Sequence, residues 1–307
     1  MGVNYSRFFI LAIEMTETVI SAQSLWSLIS DCRPERGNVA WWRMTAGISV
    51  TFLGTGTSVG VPVIGCDCDV CASTDPRNRR TRSSVVVRHG NTTVLVDTGP
   101  DLREQALREG LRSVDAVIYT HAHLDHVVGF DELRAFCWRR PGGLPLHATA
   151  NCMGTLRTMF GWAFDAVNAK NGGYVRPEPQ VIEGALEIAG LKAVPLPVEH
   201  AAVETIGLMF GDGNARLAYL PDVKRIPVAT AEMLRGVDVL IVDALRESDH
   251  PTHFTTAEAL DLARACGARQ TWLTHLGHEN DHATLAATLP EGVDVAYDGL
   301  TIDVVRG

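Results

Sequence analysis

The stretch His121-Ala122-His123-Leu124-Asp125-His126 places three imidazoles and one carboxylate within six residues. It follows directly on the apolar, β-prone residues 114–120, which predict a buried strand. A strand that ends in these side chains brings several nitrogen and oxygen donors within a few ångströms of one another. Such donors suit a borderline or hard divalent cation, so the stretch predicts a metal site at a strand end.

The composition is that of an ordinary globular protein, with 46% hydrophobic and 21% charged residues among 307. The 27 basic and 36 acidic residues leave a net charge of −9, which argues against wholesale wrapping of nucleic acid. No apolar run approaches the roughly 18 residues of a membrane span, so no membrane partner is expected. The seven cysteines lack paired spacings, which favours a reducing, cytoplasmic setting.

The first 47 residues differ from the rest because they show no clear strand or helix period. Met44 lies just before the first convincing strand, at 49–53. We therefore expect an N-terminal extension over 1–47, poorly ordered or not native, with a start site at Met44. The folded domain is expected over 48–307.

Strands and helices mix in two similarly built halves, which predicts an α/β fold. The predicted strands are 49–53, 84–88, 93–97, 114–120, 192–196, 204–210, 215–220, 238–243, 271–275 and 294–297. The predicted helices are 101–109, 130–138, 230–235, 256–265 and 281–289. A loop is predicted at 139–145, where Arg-Arg-Pro-Gly-Gly breaks both patterns.

Later strand ends supply further ligands, which a two-metal site needs. His200, Asp222 and His275 each stand where an apolar strand gives way to a loop. Neutral imidazoles bind zinc, manganese or iron, and a carboxylate can bridge two cations. Two cations about 3.5–4 Å apart can hold a hydroxide between them for attack on a phosphorus or carbonyl centre.

The order of these ligands along the chain resembles the metallo-β-lactamase superfamily. The resemblance covers about residues 50–307 and includes Leu95-Val96-Asp97-Thr98-Gly99, a strand and turn before the first motif. It implies an αββα sandwich, a hydrolase domain and two active-site divalent cations, zinc or manganese. It also implies the ligand sets, which are His121, His123 and His200 for one cation, Asp125, His126 and His275 for the other, and Asp222 for both.

Cys66, Cys68 and Cys71 place three thiols within six residues. Zinc binding explains this spacing, whereas a Cys-x-x-Cys redox pair lacks its expected surroundings and a degenerate site without metal is the other alternative. With the Gly-rich residues 53–57 and Val61-Pro62, the cluster resembles the PhnP-type cyclic phosphodiesterases. That resemblance implies that His278 is the fourth ligand of a structural zinc, while a solvated loop position is the alternative for this histidine.

Hydrolysis of an ester also needs a proton for the leaving oxygen. The resemblance to PhnP-like and tRNA-processing proteins implies that His253 donates this proton. It also implies that Asp125 orients His253, which makes Asp125 catalytic as well as ligating. His250 is the alternative donor.

Phosphate would be held mainly by the metals, with help from one or two basic side chains. Arg246, Lys224 and Arg225 are candidates because they lie close in sequence to Asp222 or to the strand end at Asp243. A solvated salt bridge is an equal alternative for each of them. The Gly-rich residues 54–60 lack the Lys-Ser/Thr ending of a P-loop and are interpreted as a turn.

The expected activity is metal-dependent hydrolysis of small cyclic phosphates, either phosphoribosyl 1,2-cyclic phosphate or 2′,3′-cyclic nucleotides. A tRNA 3′-end endonuclease is one alternative, which the acidic net charge disfavours. A thioester hydrolase would leave the cysteine cluster unexplained, and an iron-dependent oxidoreductase is a third alternative. The expected partner is a small phosphodiester substrate, and a homodimer is compatible with the sequence.

Overall fold

The computed structural model describes residues 47–168 and 173–306. The predicted extension over 1–47 and the start site at Met44 lie outside the described residues, apart from residue 47, and stay predictions. Within the described ranges, no helix is both long and apolar enough to cross a membrane.

Fourteen strands of the described chain form two mixed sheets. In chain order they are β1 (Ile48–Gly54), β2 (Ser84–His89), β3 (Thr92–Val96), β4 (Ala116–Ile118), β5 (Leu144–Ala148), β6 (Pro177–Val181), β7 (Leu186–Ile188), β8 (Leu191–His200), β9 (Val203–Gly211), β10 (Arg216–Leu220), β11 (Val239–Asp243), β12 (Gln270–Thr274), β13 (Val293–Val295) and β14 (Thr301–Val304). The first sheet has the order β14-β1-β2-β3-β4-β5-β6 and the second has the order β13-β12-β11-β10-β9-β8-β7.

Helices connect the strands and cover the sheets. In chain order they are α1 (Leu102–Arg108), α2 (Leu124–Val127), α3 (Arg134–Cys137), α4 (Ala150–Met159), α5 (Gly161–Phe164), α6 (Val228–Leu234), α7 (Thr256–Cys266) and α8 (His282–Thr288), with short 3-10 helices at Pro76–Asn78 and Val128–Leu133. The start of α7 is fixed by a reciprocal capping box between Thr255 and Glu258, and its end by Gly267 in the left-handed conformation.

Three apolar clusters define four layers. The central cluster joins the facing sides of the two sheets, with Val85 and Val94 from the first and Leu208 and Ile241 from the second. A second cluster lies between the first sheet and its helices, and a third lies between the second sheet and α6, α7 and α8. Helices therefore cover both outer faces of the paired sheets, which confirms the predicted αββα sandwich.

Each predicted strand overlaps an observed one, but β5, β6, β7, β14, α2, α4 and α5 were not predicted. The predicted loop at 139–145 was wrong at its end, because β5 begins at Leu144. Prolines within β5 and β6 interrupt the sequence pattern that would predict these strands. Pro177 and Pro179 are tolerated in β6 because β6 is an edge strand with only one neighbour.

The directions of the strands determine which strand ends lie together at the candidate site. The strands β3 to β6 are parallel to one another, and so are β10 to β13. β8 and β10 are both antiparallel to β9, so the carboxyl ends of β8, β10, β11 and β12 lie at the same edge of the second sheet. Each of these ends leads into a residue of the site described next.

Candidate metal centre

The motif at 121–126 forms the turn between β4 and α2. His121 and His126 are completely buried, while His123 and Asp125 are partly exposed. His275, directly after β12, has a φ of 57°, a left-handed conformation that is unusual for a non-glycine residue. Such local strain persists where surrounding structure enforces it and is common at functional sites.

Three imidazoles form the first group. His123 Nδ1 lies 3.0 Å from His121 Nε2 and 3.2 Å from His200 Nε2. Ligand nitrogens about 2.0–2.1 Å from a tetrahedral zinc would be about 3.3 Å apart. The His200 Nδ1–H donates to the Thr252 carbonyl at 2.8 Å, which leaves Nε2 as the free ligand atom.

The second group surrounds Asp222, which lies two residues beyond β10. His126 Nε2 is 3.1 Å from Asp222 Oδ2 and 3.3 Å from Asp125 Oδ2. His275 Nε2 is 3.3 Å from Asp222 Oδ1 and 4.0 Å from Asp125 Oδ2. Asp222 Oδ1 is also 3.7 Å from His200 Nε2, so this carboxylate lies between the two groups.

The donor set fits divalent cations. Among the described residues, His126 Nε2, His275 Nε2 and Asp222 Oδ2 are buried atoms without a hydrogen-bond partner, and such atoms are rare in native proteins. Burial lowers the pKa of His275 to about 4, so this imidazole is neutral, as a ligand must be. Burial also opposes protonation of His126, but Asp222 and its neighbouring carboxylates raise the pKa of His126 well above its usual value. Negative charge therefore dominates around Asp222.

Asp97 contacts a candidate ligand of this centre, and no role was predicted for it from the sequence. Its carboxylate accepts hydrogen bonds from the Thr120 N–H at 2.8 Å and the Thr120 hydroxyl at 2.7 Å. It also lies 2.8 Å from His126 Nδ1, so that nitrogen donates and the ligand atom Nε2 is directed at Asp222. The sequence did indicate such a role, because Asp97 directly follows β3 in the stretch on which the family resemblance rests.

His253 lies at the edge of the centre, but a different carboxylate orients it. The prediction that Asp125 orients His253 was wrong, because His253 Nδ1 lies 2.7 Å from Asp243 Oδ2. Asp243 is completely buried at the end of β11, beside the ligand-bearing β10 and β12. The His253 ring stacks on His275 with centroids 4.6 Å apart, and the centroid of the His250 ring lies 5.1 Å from that of His253.

The three predicted phosphate-binding cations are engaged elsewhere, which favours the salt-bridge alternative. Their partners are Asp249 and Glu258 for Lys224, Glu199 for Arg225, and Glu279 together with the carbonyls of Ser248 and Asp249 for Arg246.

The predicted structural site is also assembled. The sulfur atoms of Cys66, Cys68 and Cys71 lie 3.3, 3.6 and 3.6 Å from His278 Nδ1. A tetrahedral zinc with ordinary Zn–S and Zn–N bonds would place sulfur and nitrogen about 3.6 Å apart. The Cys71 N–H donates to Cys68 Sγ and lowers the pKa of Cys68 to about 7, whereas burial raises the pKa of the Cys71 thiol to about 11. The four side chains fit a closed zinc site.

Comparison with known proteins places the chain in a family. Residues 92–276 match the Beta-lactamase superfamily domain. A crystal structure described as a new diphosphatase from the PhnP family is 40% identical to the chain, with a TM-score of 0.77. The match covers 84% of this chain and 98% of that one.

Two other relatives are more distant or longer. Zn(2+)-bound PqqB from Methylobacterium extorquens is 24% identical, with a TM-score of 0.61 over 83% of this chain and 100% of that one, a likeness that shows the fold alone. A Porphyromonas gingivalis protein named octanoyltransferase is 35% identical over 256 residues, or 81% of this chain. The chain spans only 50% of the length of that relative.

Proposed function

The chain belongs to the metallo-β-lactamase superfamily as a PhnP-like member, and from this membership we propose that it is a phosphodiesterase for small cyclic phosphates of ribose or nucleotides. The observation that carries the proposal is the position of Asp222. It lies within 4 Å of ligand nitrogens from both predicted sets, His126 and His275 of one and His200 of the other. A carboxylate so placed suits two cations, the arrangement used for displacement at phosphorus.

The predicted ligands would hold the cations in two sets that share Asp222, as the family resemblance implies. Cations bound there would supply Lewis acidity and lower the pKa of a water molecule. His121 and His126 are oriented by Thr120 and Asp97, so their ligand atoms need little rearrangement.

His253 would donate the proton to the leaving oxygen. Asp243 binds its Nδ1, which leaves Nε2 as the atom available to the substrate. Burial alone would lower the pKa of His253, but the hydrogen bond to Asp243 raises this pKa above its usual value. An imidazole that is protonated near neutral pH is suited to act as a general acid.

The first test combines metal analysis with a substrate panel. The panel contains phosphoribosyl 1,2-cyclic phosphate, 2′,3′-cyclic nucleotides, linear diesters, a thioester and a diphosphate, the last because of the similar PhnP-family diphosphatase. We expect turnover of cyclic phosphates and its loss in Asp222→Asn, while Asp261→Asn on the exposed face of α7 keeps wild-type activity. Turnover confined to the thioester, or full activity of Asp222→Asn, would refute the proposal.

The second test addresses the acid. A p-nitrophenyl leaving group needs little protonation, whereas a ribose alkoxide needs a proton. His253→Gln should therefore reduce kcat for a cyclic nucleotide by about 10²-fold or more and for a p-nitrophenyl diester far less. Equal losses on both substrates would argue against His253 as the donor.

A further inference from the structure

Arg82 lies at the active-site edge of the first sheet, two residues before β2 begins. A Cβ atom added to Gly99, just beyond β3, would lie 2.4 Å from the Asp125 carbonyl oxygen and 3.4 Å from Arg82 Cβ. The base of the Arg82 side chain is therefore packed close to the backbone of a predicted metal ligand.

The guanidinium of Arg82 lies against the loop at 55–60. A Cβ on Gly60 would be 3.1 Å from Arg82 Nη1. The same loop is joined to the residue after His275, because Leu276 N–H donates to the Thr55 carbonyl at 2.9 Å. Arg82 therefore contacts a loop that is hydrogen-bonded to the residue after His275.

Arg82 has unused donors. Its backbone N–H donates to Asp101 Oδ2 at 2.8 Å, and its Nε lies 3.1 Å from the same oxygen. The buried Nε nevertheless lacks a hydrogen bond of normal geometry. Within the described ranges, neither Nη1 nor Nη2 donates to an acceptor, although 27% of the side chain is exposed.

The contrast with the neighbouring cations is informative. Arg80, two residues earlier, donates from both Nη atoms to carbonyl oxygens. Lys224 and Arg246, which sequence proximity favoured, are held by protein acceptors. Arg82 combines a position on the active-site edge, a carboxylate 3.1 Å from its Nε and two terminal nitrogens without an acceptor among the described residues.

We infer that Arg82 binds a phosphate group of the substrate through Nη1 and Nη2. The planar guanidinium presents two parallel donors that match two phosphate oxygens. The inference rests on the proposed function for the identity of the substrate. The phosphate is either the one that is cleaved or a second phosphate on the same substrate, and the test separates these sources.

The test compares Arg82→Met and Arg82→Lys with the matched control Arg79→Met, which removes an exposed arginine three residues away. Two substrates are used, adenosine 2′,3′-cyclic phosphate and the same nucleotide with an additional 5′-phosphate. The Kd for inorganic phosphate is measured on each metal-loaded protein by calorimetry, and metal per chain is determined by elemental analysis.

We expect Arg82→Met to raise KM and the Kd for phosphate by about tenfold or more, with metal content unchanged. Arg82→Lys should recover part of this loss, because lysine keeps the positive charge but not the two parallel donors. Arg79→Met should match wild type. Equal effects on both substrates would assign Arg82 to the cleaved phosphate. An effect confined to the 5′-phosphorylated substrate would assign it to a second phosphate.

Other outcomes separate this inference from the proposed function. Wild-type KM and Kd for phosphate in Arg82→Met would overturn the role of Arg82 alone. Loss of metal in both Arg82 variants would assign a structural role and also overturn it. A wild-type protein that hydrolyses no diester, yet binds phosphate less tightly after Arg82→Met, would refute the proposed function and keep the phosphate site. Absence of both turnover and phosphate binding would refute both.

Discussion

The side chain of Arg80 ties the segment before β2 to the loop at 275–280, which carries one predicted ligand of each metal site. Arg80 is 1% exposed. Nη1 donates to the Gly277 carbonyl at 2.9 Å, and Nη2 donates to the Asn280 carbonyl at 2.7 Å and to Asn78 Oδ1 at 3.2 Å. In the described structure no carboxylate lies within ion-pair distance of this buried cation.

The expected cost of Arg80→Met follows from two opposing effects. Each hydrogen bond from a charged donor contributes about 1.5–3 kcal/mol. Burial lowers the pKa of Arg80 to about 10, which corresponds to roughly 3 kcal/mol against the buried charge. Methionine removes three bonds and the buried charge together. We therefore expect the free energy of unfolding to fall by about 3 kcal/mol.

Urea denaturation of the chelator-treated proteins measures this change without a contribution from metal. Arg79→Met, which removes an exposed arginine, should change the free energy of unfolding by no more than about 0.5 kcal/mol. Metal per chain after dialysis against a weak chelator should fall in Arg80→Met, because its loop carries His275 and His278. A loss below about 1 kcal/mol with full retention of metal would refute the reasoning.

Four further substitutions test other parts of the fold. Gly129→Ala would place a Cβ 2.1 Å from the Gly99 carbonyl oxygen and should lower the free energy of unfolding by about 1–3 kcal/mol, whereas Gly154→Ala, in open space within α4, should raise it by about 0.5–1 kcal/mol. Burial lowers the pKa of His282 to about 4, so the unfolded chain binds a proton that the folded chain does not as pH falls from about 6.5 towards 4. Wild type should therefore lose about 2 kcal/mol more than His282→Phe between pH 7.5 and 5 in urea denaturation. Thr255→Ala should lower the free energy of unfolding by about 1 kcal/mol through loss of the capping box.

Each of these expectations has a clear contrary result. Equal stabilities of the two glycine variants would mean that the backbone at Gly129 adjusts at little cost. If the free energies of unfolding of wild type and His282→Phe differed by the same amount across this pH range, the folded and unfolded chains would protonate His282 equally readily, and the lowered pKa would be refuted. An equally large loss in Thr255→Ser, which keeps the capping oxygen, would remove the cap as the cause.

The clustering of the candidate ligands could be predicted from sequence because each follows an apolar run, and the carboxyl ends of parallel strands meet at one edge. The partner of His253 could not be predicted in this way. Asp243 also ends an apolar strand, but its place beneath the site depends on the register that pairs Asp243 with Thr274 and Val242 with Leu220. A short motif contains no information about that register, so Asp125 was selected by resemblance alone.

The different roles of Arg80 and Arg82 could not be predicted from the sequence either. They stand two residues apart in a run of arginines and are indistinguishable by composition or spacing. The fold separates them, because backbone carbonyls of a loop about 200 residues away surround Arg80 and only Asp101 contacts Arg82 among the charged groups described. Burial and partner geometry, which arise only in the folded chain, decide which arginine has donors left for a ligand.

The connection between the first and last loops does not depend on a metal. Besides Arg80, Asn78 Nδ2 donates to Asp281 Oδ2 at 2.7 Å, and Leu276 N–H donates to the Thr55 carbonyl at 2.9 Å. The entropy lost on closing a long loop grows slowly with its length and is incurred at the first contact, so each later contact mainly restricts local motion. A zinc ion bound by the cysteines and His278 would therefore add little to chain closure. Its main effect would be to limit movement of His275, three residues earlier, and so to couple the structural site to the geometry of the metal centre.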